Sequence, residues 1–221
     1  MTSIASSLNH STHSLKHNKA SPSYGDKEYW DDRYQKMSEP FDWFQTYDRL
    51  KFYLSKHIKN KDSSGLNVGC GTSPLPFEMH HDGYKRVTSI DYSEAAIEAM
   101  RRQNTSPDLE FLTMDAKRTN FPSWYFDYAI DKGCFEFNLL SSSLDNGKSY
   151  LEEIYRVLKP DGIYFMVSHT PPSLRLPLLQ VEDFQWDVKV EKISKENFTA
   201  IPNTEESSYH YIYVCKKKEL K

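Results

Sequence analysis

The sequence predicts an α/β protein: a seven-stranded, mostly parallel sheet with an antiparallel last strand and helices on both faces. Short apolar runs alternate with amphipathic helical segments along most of the chain, which is typical of a parallel sheet covered on both sides. The last two apolar runs have only a polar segment between them, without a helical pattern. We therefore expect them to form an antiparallel pair at the sheet edge.

Length and composition agree with one compact domain. The chain has 221 residues, of which 38% are hydrophobic and 27% charged. Its longest apolar run, Ile163–Val167, is far shorter than the roughly 20 residues of a membrane-spanning helix, so we expect no membrane association. The net charge of -3 argues against a broad nucleic-acid surface. Three widely separated cysteines predict neither a metal site nor a disulfide framework, so we expect a cytoplasmic protein. Separately, we expect a monomer.

The N-terminal part divides into two regions. Residues 1–23 are rich in Ser, His, Asn and Lys, and we expect a disordered tail, because such a segment buries too little apolar surface. Residues 24–221 are expected to form the single domain, and residues 24–60 its helical N-terminal segment. Helices are predicted at Asp26–Met37 and Thr46–Ile58, with an aromatic loop, Phe41–Asp42–Trp43–Phe44, between them.

The remaining elements follow in order from hydrophobic periodicity and capping signals. Two helices are predicted, Glu94–Gln103 behind a capping Ser93 and Lys148–Leu158 with one apolar face. A turn is predicted at Pro160–Asp161–Gly162. The seven strands are expected at Leu66–Val68, Arg86–Ile90, Leu109–Leu112, Phe126–Ile130, Ile163–Ser168, Phe184–Val190 and Tyr209–Cys215.

Four of these strands end in residues suited to a nucleoside. Ligands of open α/β sheets bind at the carboxyl ends of the strands, where Gly69–Cys70–Gly71 would allow close backbone approach. Asp91 ends the second strand and could accept hydrogen bonds from ribose hydroxyls, while Asp115 after the third could accept from an adenine amino group. Asp131–Lys132–Gly133 ends the fourth strand. Together these residues predict an adenosine-shaped pocket.

The glycine loop argues against a dinucleotide. The dinucleotide fingerprint has a third glycine where this chain has Pro74, and Pro74 and Pro76 each remove a backbone donor that a pyrophosphate would need. S-Adenosylmethionine carries no phosphate and needs neither feature. S-Adenosylmethionine is therefore the better fit to this loop, and a nicotinamide-dependent dehydrogenase is a remote alternative.

Several motifs resemble those of Rossmann-like class I S-adenosylmethionine-dependent methyltransferases: Leu66–Ser73, Thr88–Ser93, Met114–Ala116 and Asp131–Gly133. Tyr29–Tyr34 and Phe41–Phe44 resemble, more narrowly, the N-terminal segment of methyltransferase-like proteins that act on lysines of elongation factor 1-alpha, particularly the lysine methyltransferase 4 type. The resemblance covers about residues 29–214. It implies S-adenosylmethionine as cofactor, S-adenosylhomocysteine as product, and a protein substrate of the elongation factor 1-alpha type. We also expect no direct contact with nucleic acid.

The resemblance also implies residue roles. Gly69 would contact the methionine half of the cofactor through its backbone, Gly71 would be a further cofactor-binding residue, and Lys132 would line the methionine end. Asp91 would hold the ribose, Tyr92 would lie against the adenine, and Asp115 and Ala116 would meet its edge. Trp30, Tyr34 and Trp43 would close over the cofactor; taken without the resemblance, these three rings are more typical of core packing.

Departures from the subgroup fall on the acceptor side of the predicted pocket. The subgroup usually has Lys-Gly-Thr-Leu-Asp where this chain has Lys132–Glu136, and many class I enzymes have an acidic residue at the position of Asn67. Glu136 and His169 are candidate proton-handling residues, although Glu136 is better interpreted as a carboxylate on a helix surface. No catalytic residue is assigned.

Three functions are compatible with this pattern. A protein-lysine methyltransferase is the leading hypothesis. A small-molecule methyltransferase would use the same scaffold, and a non-catalytic cofactor-binding protein could serve as a regulatory subunit. Transfer of a methyl group to defined acceptors would distinguish among them.

Overall fold

A computed structural model describes residues 24–37, 39–140, 144–195 and 205–219. The predicted tail, residues 1–23, lies outside them. The described strands are β1 (Gly65–Val68), β2 (Val87–Asp91), β3 (Leu109–Thr113), β4 (Phe126–Lys132), β5 (Leu158–Ser168), β6 (Trp186–Ser194) and β7 (Tyr209–Lys217). The α-helices are α1 (Lys27–Lys36), α2 (Tyr47–His57), α3 (Leu75–His81), α4 (Glu94–Gln103), α5 (Cys134–Leu140), α6 (Leu144–Val157) and α7 (Pro172–Leu179).

All the described strands belong to one sheet with the order β3-β2-β1-β4-β5-β7-β6. Strands β1 to β5 pair in parallel, whereas β7 is antiparallel to both of its neighbours, β5 and β6. This topology confirms the predicted architecture. The chain leaves β1 in one direction toward β2 and returns on its other side as β4, so a switch point that favours ligand binding lies at the carboxyl ends of β1 and β4.

Alternating side chains of each strand supply two separate cores. On β5, Phe165 and Val167 face one layer, while Tyr164 and Met166 face the other. The first layer also contains apolar residues of α2, α3 and α4, and the second those of α5, α6 and α7. Helices therefore cover both faces of the sheet, as its unbroken apolar strands predict.

The predicted helices are present with small shifts at their ends. Helix α4 has the predicted bounds, and Ser93 caps it by accepting a hydrogen bond from the Ala96 amide. The short helices α3 and α7 were not predicted, and α5 was implied only by the expectation that Glu136 lies on a helix surface. Prolines stand in the first turn of α3 and α7, and seven or eight residues are too few for a clear helical periodicity.

The turn predicted at Pro160–Asp161–Gly162 is a bulge inside a longer strand. Phe126 of β4 pairs with Leu158, but Tyr128, two residues later, pairs with Ile163. The extra residues of β5 loop out between these pairs, and Asp161 adopts a left-handed conformation with φ of 62°. The prediction that these residues form a turn is therefore confirmed, but the turn lies within β5 rather than before it.

None of the helices within the described ranges has the length and apolar character needed to cross a membrane.

Candidate active site

A cleft with about 610 Å³ of empty space opens at the carboxyl ends of the parallel strands. All the predicted site residues except Gly71 line it: Trp30, Tyr34, Trp43, Gly69, Asp91, Tyr92, Asp115, Ala116 and Lys132. Gly71 lies in an adjoining cavity of about 310 Å³, which shares Tyr34, Trp43, Gly69 and Lys132 with the cleft.

The loop after β1 requires glycine at two positions. Gly69 and Gly71 have φ of 61° and 50°, a left-handed conformation that side chains rarely adopt. A Cβ on Gly69 would lie 2.4 Å from the Cys134 Sγ, and one on Gly71 would lie 2.4 Å from the Tyr34 hydroxyl oxygen. The backbone therefore forms part of the cleft wall directly.

Asp91 connects this loop to the end of β2. Its Oδ2 accepts a hydrogen bond from the Gly71 amide and its Oδ1 one from the Ser93 amide, both at 2.9 Å. Burial raises the pKa of Asp91 to about 6 despite these bonds. An ionised carboxylate has about four lone-pair sites, so it can still accept from a ligand in the cleft.

The adenine side of the predicted pocket follows β3. The Met114 amide donates to the Asp91 carbonyl at 2.8 Å, which brings the ends of β2 and β3 together. Asp115 lies exposed at the rim, where its Oδ1 accepts from the Lys117 amide at 2.9 Å, whereas Ala116 is buried. These positions are compatible with a base bound beside Tyr92, and their roles stay predictions.

Aromatic rings from the N-terminal segment form the opposite wall. Trp30 stacks on Tyr34 with ring centroids 5.7 Å apart, and Trp43 packs against Phe137 of α5 at 4.8 Å. The Trp30 indole N–H donates to the Tyr24 carbonyl at 2.7 Å. The same rings therefore pack together and line the cleft, so the core-packing interpretation and the cofactor-closing interpretation do not exclude each other.

Lys132, at the end of β4, connects the aromatic loop to the sheet by a hydrogen bond and an ion pair. Its ammonium group is buried, donates to the Trp43 carbonyl at 2.9 Å and forms an ion pair with Asp42. Burial lowers the pKa of Lys132, although Asp42 opposes this shift. The neighbouring Phe44 has a φ of 65°, an uncommon conformation for a bulky residue, so the loop is held in a strained shape.

Glu136 is not the surface carboxylate that we expected. Its exposed fraction is 4%, and its Oε1 accepts from the backbone amides of His169 and Thr170 at 3.0 and 3.2 Å. The same carboxylate accepts from Ser168 and Arg175 and contacts the His169 imidazole. Burial alone would raise the pKa of Glu136, but these hydrogen bonds and charges lower it to about 2. Glu136 therefore ties α5 to the loop after β5.

Asp131 ends β4 as predicted but turns away from the cleft. It is fully buried, and it accepts hydrogen bonds from the Cys134 amide and the hydroxyls of Tyr150 and Tyr164 at 2.7 to 2.8 Å. Burial raises its pKa. Asp131 therefore caps the N-terminus of α5 and stabilises the fold, and it does not line the cleft.

Several lining residues were missed by sequence reasoning. Met114, Gly133 and Cys134 immediately adjoin predicted site residues, so adjacency alone could have identified them. Tyr24 and Phe137 also line the cleft, and no local pattern marks them. Burial raises the pKa of the Cys134 thiol, which agrees with its interpretation as a packing residue.

A sequence profile described as "Methyltransferase domain" matches residues 66–166. The chain is similar to "EEF1A lysine methyltransferase 4" of Bos taurus, with 30% identity over 178 residues, 75% of this chain and 69% of that protein. It is also similar to "eEF1A lysine and N-terminal methyltransferase homolog" of Drosophila pseudoobscura pseudoobscura, with 34% identity over 151 residues, 66% of this chain. It spans only 22% of the length of that larger protein.

The fold itself has a close counterpart among solved structures. The N-methyltransferase NodS from Bradyrhizobium japonicum WM9, in complex with S-adenosylhomocysteine, superposes with a TM-score of 0.66 over 90% of this chain and 100% of that one. Sequence identity between the two is 13%. This likeness concerns the fold alone.

Proposed function

Because the chain belongs to the family of S-adenosylmethionine-dependent methyltransferases, we propose that it methylates a lysine side chain of a protein substrate related to elongation factor 1-alpha. The support is the similarity to relatives that are named as lysine methyltransferases of this factor. The single observation that carries the cofactor site is the cleft, whose walls bring together the residues of the four strand-end motifs and of the aromatic segment.

In the proposed binding mode, Asp91 accepts hydrogen bonds from the ribose hydroxyls. The adenine lies beside Tyr92, with its edge toward Asp115 and Ala116. Gly69 and Gly71 allow the methionine half to approach the backbone, and Lys132 lies at its end. Trp30, Tyr34 and Trp43 cover the ligand and exclude water. The lining of the cleft, the left-handed glycines and the buried carboxylate support this fit.

When bound, the cofactor would supply a methyl group on a sulfonium sulfur: a neutral amine would attack the methyl carbon in line, and the sulfur would leave with the bonding electrons as S-adenosylhomocysteine. The protein contributes alignment in a dry cavity, which is worth several kcal/mol and up to about 7–11 in favourable systems. Lysine must reach the site as a neutral amine. Desolvation against the aromatic wall and the nearby sulfonium charge both favour loss of its proton, so this proposal needs no dedicated base.

We propose a cytoplasmic location, which agrees with a protein acceptor and with three free thiols whose pKa values are all raised by burial. The monomeric state stays a prediction. The related relatives are named for their action on a protein, and this supports a protein acceptor over a small molecule.

The test is transfer of labelled methyl from S-adenosylmethionine by the full chain, with purified elongation factor 1-alpha and with a size-resolved cell extract as acceptors. Label on elongation factor 1-alpha, lost in an Asp91→Ala variant, is the expected result, and mass spectrometry then locates the lysine. Label on a different protein would retain the chemistry and reject the substrate. Label confined to small molecules, or cofactor binding without turnover, would reject protein-lysine methylation.

A further inference from the structure

The loop after β5 places His169 beside the part of the cleft that the end of β4 lines. Lys132 of β4 pairs with Val167 of β5, and neighbouring strands lie about 4.8 Å apart. Gly133, which lines the cleft, directly follows Lys132, and His169 comes two residues after Val167. The His169 side chain is 56% exposed. A protein substrate that approaches the cleft from the side of β5 can therefore reach this imidazole.

The Phe44 ring contacts both His169 and the cleft wall. Its centroid lies 5.7 Å from that of the His169 ring, and a Cβ on Gly133 would lie 3.0 Å from the Phe44 Cε2. The methylene groups of a lysine side chain can pack along an apolar surface of this kind while the amine keeps its polar contacts. A lysine that lies along Phe44 would therefore run between the imidazole and the cleft.

Glu136 fixes the orientation of the His169 imidazole. Its Oε2 pairs with the His169 Nδ1, while its Oε1 accepts from the backbone amides of His169 and Thr170 and from Arg175 at 3.0 to 3.2 Å. Burial opposes ionisation of Glu136, but these donors lower its pKa to about 2, so it is a carboxylate at neutral pH. A carboxylate that accepts from Nδ1–H leaves the lone pair of the neutral imidazole on Nε2. Nε2 is therefore the atom of His169 that can accept a proton.

The other charged and titratable groups around this imidazole, within the described part of the chain, are Arg175 of α7 and His210 of β7. Arg175 is buried and shares Glu136, so it keeps the carboxylate ionised. His210 is also buried, and burial together with the charge of Lys195 lowers its pKa to about 4. His210 is therefore neutral at neutral pH and shielded from a substrate, which leaves His169 as the accessible imidazole of the pair.

We propose that His169 accepts the proton that the acceptor lysine must lose before methyl transfer, and that Glu136 positions it. The lysine ammonium group donates to His169 Nε2, directly or through one water, and its proton moves to this nitrogen. The neutral amine then displaces the sulfonium sulfur as in the proposed reaction, and the exposed imidazolium releases its proton to solvent. This inference rests on the proposed function. Desolvation lowers the pKa of the lysine, and His169 supplies a group that takes the displaced proton.

The test measures kcat and KM for methyl transfer to purified elongation factor 1-alpha from about pH 6.5 to about pH 9.5. The proteins are the full chain, His169→Ala and His169→Asn, which keeps a donor toward Glu136 but cannot take up a proton. His81→Ala, which removes an exposed histidine at the end of α3, is the matched control. Calorimetric titration with S-adenosylhomocysteine and a thermal scan report cofactor binding and folding of each variant.

Both His169 variants should lose about 100-fold in kcat at neutral pH, the usual contribution of a positioned base, with cofactor affinity within about threefold of the full chain. The loss should shrink at about pH 9.5, because a growing fraction of the lysine is then neutral without help. Added imidazole should restore part of the rate of His169→Ala, and His81→Ala should behave like the full chain. An unchanged kcat, or a loss of the same size at every pH, would overturn the inference.

The positioning role of Glu136 is tested by combining substitutions. Glu136→Gln should slow the reaction at neutral pH by about tenfold, and it should add little to the loss in His169→Asn, because both changes affect the same proton transfer. Additive losses would show that Glu136 does not act through His169. If the full chain bound S-adenosylhomocysteine but transferred no methyl group to elongation factor 1-alpha, the proposed function itself would be wrong, and this inference with it.

Discussion

At the scale of single residues, Asp91 links the architecture of the cleft to its chemistry. Its two oxygens hold the Gly71 and Ser93 amides, so the carboxylate fixes the loop after β1 relative to β2. Burial raises its pKa to about 6, which leaves it largely ionised at neutral pH and able to accept from ribose hydroxyls.

Asp91→Ala should therefore abolish measurable cofactor binding, and the affinity of the unchanged protein should depend on pH. Binding favours the ionised carboxylate, so affinity should be full above pH 7 and fall as the pH decreases through the pKa of about 6. Calorimetric titration with S-adenosylhomocysteine should give roughly tenfold weaker binding at pH 5 than at pH 7. Asp91→Asn should bind weakly without this pH dependence; the same pH profile in both proteins would contradict the assignment.

Trp43 belongs to both an aromatic cluster and the cleft wall. Trp43→Ala should clearly weaken S-adenosylhomocysteine binding but lower the melting temperature only slightly. The side chain is only partly buried in the protein, and in the complex it would shield the ligand from water. Trp43→Phe, which keeps an aromatic face, should restore most of the affinity. A collapsed thermal transition with normal affinity in the folded fraction would instead favour a packing role.

At the scale of elements, the Glu136 carboxylate connects the short helices α5 and α7 to the loop after β5. Glu136 lies in the first turn of α5 and receives hydrogen bonds from the loop after β5 and from Arg175 of α7. The sequence places an acidic residue in a short helix, which usually indicates a solvent-facing side chain. Its burial depends on donors 33 to 39 residues further along the chain, and helical periodicity carries no information about them.

Glu136→Gln should destabilise the protein by about 3 kcal/mol at neutral pH. The buried Arg175 guanidinium and the amides of the loop after β5 would lose their charged acceptor. The folded-state pKa is lowered from 4.5 to about 2, so this contribution is full above pH 4.5 and disappears as the pH falls through about 2. Urea unfolding at pH 7 and pH 3 should give a smaller difference between the two proteins at pH 3. Glu152→Gln, on the exposed side of α6, should change stability little at either pH. A difference that is independent of pH would contradict the ionised state of Glu136.

At the scale of the whole molecule, the domain is expected to fold without its first 23 residues. Their composition supplies almost no apolar surface, so they contribute little to the free energy of folding. A chain that begins at Tyr24 should melt within about 2 °C of the full chain in a thermal scan. A decrease of several degrees would show that the tail packs against the domain.

The sequence by itself determined the α/β architecture, the antiparallel pairing of the last two strands, and the positions of the glycines and aspartates around the cleft. These features are local: apolar periodicity sets each strand, and the residue that follows a parallel strand necessarily lies at the same edge of the sheet as its neighbours. Only the tertiary structure decided that Glu136 is buried, that Asp131 points into the core and that Asp42 pairs with Lys132, 90 residues away. The protonation and the role of each of these groups depend on which partners the fold brings to it, since burial and hydrogen bonding, not residue type, determine the free energy of a charge.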